Sequence, residues 1–84
     1  MTVTLRLFAA AREAAGRGSD TYDRELTPTV GALLDAAAKA YGPTFARVAQ
    51  HSRVWLNGEE PPAGPETRLS DGDEVAVLPP VSGG

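Results

Sequence analysis

Two short alternating segments, one near each end of the chain, do most to restrict its fold. In TVTLRLF (2–8), Val3, Leu5 and Leu7 point one way and Thr4, Arg6 and Phe8 the other. In EVAVL (74–78), Val75 and Val77 point one way and Ala76 and Leu78 the other. A period of two is the mark of a half-buried strand. These are the most apolar strand candidates, which predicts central places side by side in one sheet. Two such neighbours so far apart in sequence are expected to run parallel, with a helix in the crossover.

That helix is predicted in TPTVGALLDAAAKAYGP (27–43). Val30, Leu33, Leu34, Ala37 and Tyr41 share one face, and Asp35 and Lys39 stand four apart on the other in the favourable order. Thr29 suits the N-cap, with Thr27 followed by Pro28 as the alternative start. Gly42 and Pro43 stop the helix. The alanine-rich stretch 9–16 predicts a short helix ending at Gly16, and Gly16–Asp20 is a turn cluster. A weak second strand is expected over 21–26, its pairing left open. Residues 44–51 read as a further turn of helix. SRVWLNGEE (52–60) reads as a strand entering an Asn57-Gly58 turn, and the prolines at 61, 62 and 65 argue against regular structure after it. The order predicts a single α+β domain over 1–78, with one main helix packed across a mixed sheet.

Composition removes whole classes of function. The 84 residues contain no cysteine, so disulfides, zinc–thiolate sites and thiol chemistry are excluded. The N-terminal stretch carries Arg6 and lacks the long apolar run of a signal peptide, and no segment is apolar enough to span a bilayer; a cytoplasmic location is the expectation. The formal charge of −3 and the interspersed arginines leave no basic face for nucleic acid. His51 stands alone and reads as a surface residue. Asp71, Asp73 and Glu74 read as a solvated turn, lacking the ligand spacing of a calcium loop. Arg12 and Glu13 read as a solvated ion pair. No glycine spacing matches a phosphate-binding loop.

Two features point outward. With Val54 and Leu56 facing the helix, Trp55 faces the open side of the sheet. Leu78 faces the same way, and together they predict an exposed apolar patch suited to a partner. Beyond Leu78 lies PPVSGG. Pro79 and Pro80 stiffen the exit and bar strand or helix. Residues 79–84 form an expected flexible tail that extends to about 20 Å at ~3.3 Å per residue. Gly83 and Gly84, without Cβ atoms, suit a narrow channel. The group delivered at the tip is the Gly84 carboxylate.

The segments LFAAAREAAG, TVGALLDAAAKAYG, VWLNGE and DGDEVAVLPPVSGG resemble the small subunit of molybdopterin synthase, the MoaD-type sulfur carriers of the MoaD/ThiS family. The resemblance spans essentially the whole chain and implies a β-grasp, ubiquitin-like fold. It further implies that an adenylating (MoeB-type) partner uses ATP to activate the Gly84 carboxylate and that a thiocarboxylate follows. The loaded tail would enter the synthase large subunit (MoaE-type), where sulfur is passed to a cyclic pterin precursor. The chain would bind no cofactor itself and would not be an enzyme alone. By the same resemblance Gly83, Ser82, Val81, Pro80 and Pro79 match the inserted arm and Leu78 a contact residue. The pair Val77-Leu78 stands where the family often has bulkier aromatics, and residues 58–66 are richer in proline than the family's usual short hairpin. Carriers for thiamine or cysteine synthesis and ubiquitin-like protein modifiers share the Gly-Gly end and remain alternatives, as does a plain binding module working through Trp55.

Overall fold

The structure is a computed structural model and describes residues 1–80. The elements are β1 (Thr2–Leu7), α1 (Ala9–Ala15), β2 (Ser19–Asp23), α2 (Val30–Tyr41), α3 (Pro43–Gln50), β3 (Arg53–Leu56), a single 3-10 turn (Gly64–Glu66) and β4 (Glu74–Leu78). The sheet order is β2-β1-β4-β3. β1 and β4 lie at the centre and run parallel, while β2 and β3 are antiparallel edges. This is the mixed β-grasp sheet expected, with the two most apolar strands adjacent.

The inward residues of the central strands build the core. Val3, Leu5, Leu7, Val75 and Val77 are buried, with Val30, Leu33 and Ala37 of α2 packed over them. Each valine and leucine among them contributes about 1.5–3 kcal/mol relative to exposure. Thr29 caps α2, its Oγ1 accepting from the Ala32 N–H at 3.1 Å. Gly42 ends it at φ 100°, in the left-handed region that glycine enters freely.

The helical layer has α2 as its main helix, as expected, with two shorter helices beside it. Gly42 does not merely stop α2; it swings the chain so that Pro43 opens a separate helix, α3. The further helix expected over 44–51 is present as this separate element. α3 carries Phe45 into the core with no residual exposure, edge-on to Tyr41 at 5.1 Å. α3 also packs against α1, which joins the same layer.

Three other expectations shift. The second strand starts at Ser19 rather than Thr21 and ends at Asp23. There the Asp23 carbonyl accepts from the Leu26 and Thr27 N–H groups, turning the chain and leaving Leu26 exposed. The proline-rich segment holds a 3-10 turn at Gly64–Glu66, closed by Thr67, whose Oγ1 accepts from Ala63 N–H at 2.8 Å. Leu69, beyond it, is fully buried. Finally, Arg12 and Glu13 form no ion pair; the Arg12 guanidinium packs over Gly18, 3.5 Å from where a Cβ there would stand. The Asn57-Gly58 turn is present, with left-handed φ at both residues and paired Leu56–Glu59 backbone bonds.

Candidate functional site

The helices cover one face of the sheet and leave the other open. Register defines the open face. Arg6 lies opposite Ser19 on β2 and Ala76 on β4, and Trp55 lies opposite Ala76 from the far side. Leu78 lies opposite Arg53, one diagonal step from Trp55. Phe8 follows β1 onto this face, 38% exposed, with the Arg6 guanidinium 5.7 Å from its ring centroid. Directly after it Ala9 takes φ 49°, reversing the chain into α1.

Trp55 and Leu78 are therefore brought onto one face, as expected. They are half-buried, however, rather than an exposed patch. The reason is the wall around them. Gln50, His51, Ser52 and Arg53 stand on one side and Pro79 and Pro80 on the other, bounding an open groove of about 700 Å³ with Trp55 and Leu78 in its lining. Pro79 is half-buried in this groove and Pro80 exposed. The chain thus leaves the sheet along the groove. Val81, Ser82, Gly83 and Gly84 lie outside the described residues. The open face also presents Phe8 and Arg6, which were not among the site residues expected. Their outward place in the TVTLRLF alternation was the available signal.

His51 is exposed, as expected, and borders the groove. The acidic turn is structural rather than simply solvated. Asp71 Oδ1 accepts from Thr2 N–H at 2.8 Å and Asp73 Oδ2 from Ser70 N–H at 2.7 Å. Asn57 donates to Asp73 Oδ1 at 3.0 Å and accepts from Glu74 N–H at 2.9 Å. These bonds knit the starts of β1 and β4 to the β3 turn. No group of three or more metal-ligating side chains occurs among the described residues. No helix among them is long and apolar enough to cross a membrane.

One titrating cluster lies at the β2 edge, away from the groove. The Tyr41 hydroxyl donates to Asp20 Oδ2 at 2.6 Å and accepts from Tyr22 at 3.2 Å; Arg17 donates to the same carboxylate at 3.0 Å. Tyr41's bond, with help from Thr21 N–H and Arg17, holds the Asp20 carboxyl below its ordinary range against the opposing effect of burial. Burial first, then the bonds to Asp20 and Tyr22, keep Tyr41 protonated well above the usual phenol range. The cluster ties β2 to α2 and offers no reactive group to the open face.

Residues 5–84 match the model of the ThiS family. Among curated relatives, small archaeal modifier protein 3 of Haloferax volcanii is 36% identical over the whole of both chains. A molybdopterin synthase sulfur carrier subunit of Chlamydomonas reinhardtii is 33% identical, again over the whole of both. Among solved structures, SAMP1 of Haloferax volcanii superposes with a TM-score of 0.83 at 36% identity, covering all of both chains. The BexX/CysO complex of Amycolatopsis orientalis contains a chain with a TM-score of 0.78 at 25% identity, covering 98% of this chain and 99% of that one. The order of strands, the fully matched length and the family model together place it: the chain belongs to the ThiS family and has its ubiquitin-like β-grasp fold.

Proposed function

We propose that this protein is a sulfur carrier for molybdopterin synthesis, working through its C-terminal glycine. The observation that carries the reading is the exit geometry. The last strand is central in the sheet, its end lies on the open face beside Trp55, and Pro79-Pro80 runs out along a groove in that face. A partner that grips the open face is thereby placed to receive whatever follows Pro80. The full-length likeness to a protein named as a molybdopterin synthase sulfur carrier subunit supports the pathway.

The chemistry is the one the family resemblance implies, and it suits a chain without cysteine because the sulfur rides on the terminal carbonyl. A Gly84 carboxylate oxygen attacks the α-phosphorus of ATP in the adenylating (MoeB-type) partner, and pyrophosphate leaves. The acyl-adenylate now has a good leaving group. A sulfide-level sulfur attacks its carbonyl carbon, AMP departs, and the thiocarboxylate remains. In the large subunit (MoaE-type) that sulfur passes to the cyclic pterin precursor. Trp55 and Leu78 hold the partner; Pro79, Pro80, Val81, Ser82 and Gly83 form the arm. The work takes place in the cytoplasm, and this chain contributes no cofactor of its own.

A second reading has a specific observation behind it: the relative at 36% identity is named a modifier protein. In that reading a lysine amine replaces sulfide as the nucleophile at the same acyl-adenylate. Thiocarboxylated chain incubated with the pterin precursor and the large subunit separates the two. Molybdopterin formation in a single turnover supports the carrier. Failure to form it, together with isopeptide-linked adducts of this chain in cells, establishes the modifier.

A further inference from the structure

The charges of this chain are segregated along the sheet, and the segregation opposes its net charge. At the end where β1 and β4 begin stand Asp23, Glu25, Glu59, Asp71, Asp73 and Glu74, with Arg24 and Arg68 the cations near them. At the other end, where β4 finishes and the chain leaves, stand Arg6, Arg12 and Arg53. Arg12 and Arg6 line one depression of about 420 Å³ together with Phe8, Ser19 and Glu74. Arg53 lines the groove along which Pro79 and Pro80 run. Glu74 reaches Arg6 at 3.5 Å, but both remain about half exposed. Arg17 is held by Asp20 at 3.0 Å. Arg12 and Arg53 are exposed and make no salt bridge among the described residues.

We infer that the partner surface receiving this face is a protein surface with an apolar centre and a rim of carboxylates placed against Arg12, Arg53 and Arg6. The inference rests on the carrier reading above and adds the sign of the partner. From net charge alone, a chain at −3 is expected to seek a basic partner. The local arrangement says the reverse. The apolar floor made by Phe8, Leu78 and Trp55 sits among Arg6, Arg12 and Arg53; the acids that reach it are Glu74, taken by Arg6, and Glu60 at the β3 edge, while Asp23, Glu25, Asp71 and Asp73 lie at the far end. A molecule so polarised turns in the field of an acidic mouth, presenting its tail end first and its acidic end away. Arginine also suits this use, since its planar fork pairs with carboxylates bidentately and keeps its charge at every physiological pH.

The test is the salt dependence of adenylation. Initial rates of ATP-dependent activation of the full chain by its adenylating partner are measured from low to high ionic strength, for wild type, Arg12→Glu/Arg53→Glu, and the milder Arg12→Gln/Arg53→Gln. Thermal melts confirm that each is folded. We expect wild-type kcat/KM to fall as salt rises, and the Glu pair to lie at least about ten-fold below wild type at low salt, with kcat at saturation retained. The Gln pair should fall between, and the curves should converge at high salt. Control substitutions Glu25→Gln and Glu59→Gln at the acidic end should leave the rate within about two-fold of wild type. A Glu pair that is activated as fast as wild type at low salt, or faster, overturns the inference. Wild type that is never activated by a demonstrably active enzyme counts against the carrier reading instead, so the two failures are distinct.

Discussion

The two faces of one sheet are built from the same strands and do opposite work. On the covered face Val3, Leu5, Leu7, Val75 and Val77 are buried under α2 and α3. On the open face the alternate residues of the same strands are Thr4, Arg6, Ala76 and Leu78, with Trp55 from β3 and Phe8 beyond β1. The first set holds the fold and has no access to anything else. The second set gains little from the fold and is free to be chosen for a partner. The strict period of two keeps these roles separate, since a residue on one face cannot take part in the other. The edges are separated from partner work as well. On β2 the Asp20 carboxylate takes the outward Thr21 N–H at 2.9 Å, and on β3 the Glu59 carbonyl, across the Asn57-Gly58 turn, takes the Leu56 N–H at 2.7 Å. Both edges are blunted against strand addition, leaving the face and the exit as the surfaces for recognition.

The contrast is broken most severely from the covered side. Phe45→Ala removes a fully buried ring from between α3 and Tyr41, and should cost about 3–5 kcal/mol in a denaturant titration. A loss near zero would mean that α3 is not part of the core. Trp55→Ala and Leu78→Ala should behave in the opposite way. Each weakens binding to the adenylating or large-subunit partner by about 2 kcal/mol, as truncation of an interface anchor does. Each leaves stability within about 1 kcal/mol of wild type. Lowered stability with unchanged affinity would erase the distinction between the faces.

Smaller effects sharpen it. A Cβ at Gly31 would stand 3.0 Å from the Pro65 carbonyl oxygen. Gly31→Ala should therefore destabilise by about 1 kcal/mol through crowding, although alanine is the better helix former. A stabilised variant would show that the Gly64–Glu66 turn yields easily. A change of similar size is expected from Tyr41→Phe, about 1 kcal/mol net at neutral pH, because the two hydrogen bonds lost, to Asp20 and from Tyr22, lie at a part-buried edge where water replaces them. Its sign with pH is definite. The folded-state pKa of Asp20 is lowered from an ordinary value of 3.8, so its contribution is present above that value and lost as pH falls below it. Tyr41→Phe should raise the Asp20 pKa and flatten this acid limb. A titration of the Asp20 carboxyl by NMR that shows no upward movement would contradict the assignment of Tyr41 as the main cause.

Much of this arrangement was legible from residue order. The parallel β1–β4 pair, the Thr29 cap, the Asn57-Gly58 turn and the outward Trp55 and Leu78 all follow from periodicity and turn chemistry, because each is decided by neighbours a few residues away. The parts that were not legible depend on distant partners. Phe45 sits in an eight-residue helix whose burial depends on how Gly42 redirects it onto α1 and the sheet. Leu69 is buried from a segment with no strand or helix to give it a period. Asp20 looks like a turn residue, yet it joins β2 opposite Leu5, and its carboxylate meets Tyr41, twenty-one positions on. Trp55 and Leu78 were read as an exposed patch because the wall that half-covers them, Gln50 to Arg53 with Pro79 and Pro80, assembles only when α3 and β4 meet. The polarity of the arginines was invisible for the same reason, since Arg6, Arg12 and Arg53 are scattered in sequence and gathered by the sheet.

The role proposed for the open face is to deliver the chain's last glycine for activation and sulfur loading. An intact-mass spectrum of the full chain after incubation with ATP, a family adenylating enzyme and a sulfide source tests it most directly. The expected product is heavier by one sulfur-for-oxygen exchange, localised by fragmentation to Gly84 and absent when ATP is withheld. An unchanged mass in the presence of an enzyme shown to be active on another carrier would contradict it, and would leave the Trp55–Leu78 face as a binding surface without a chemical tail.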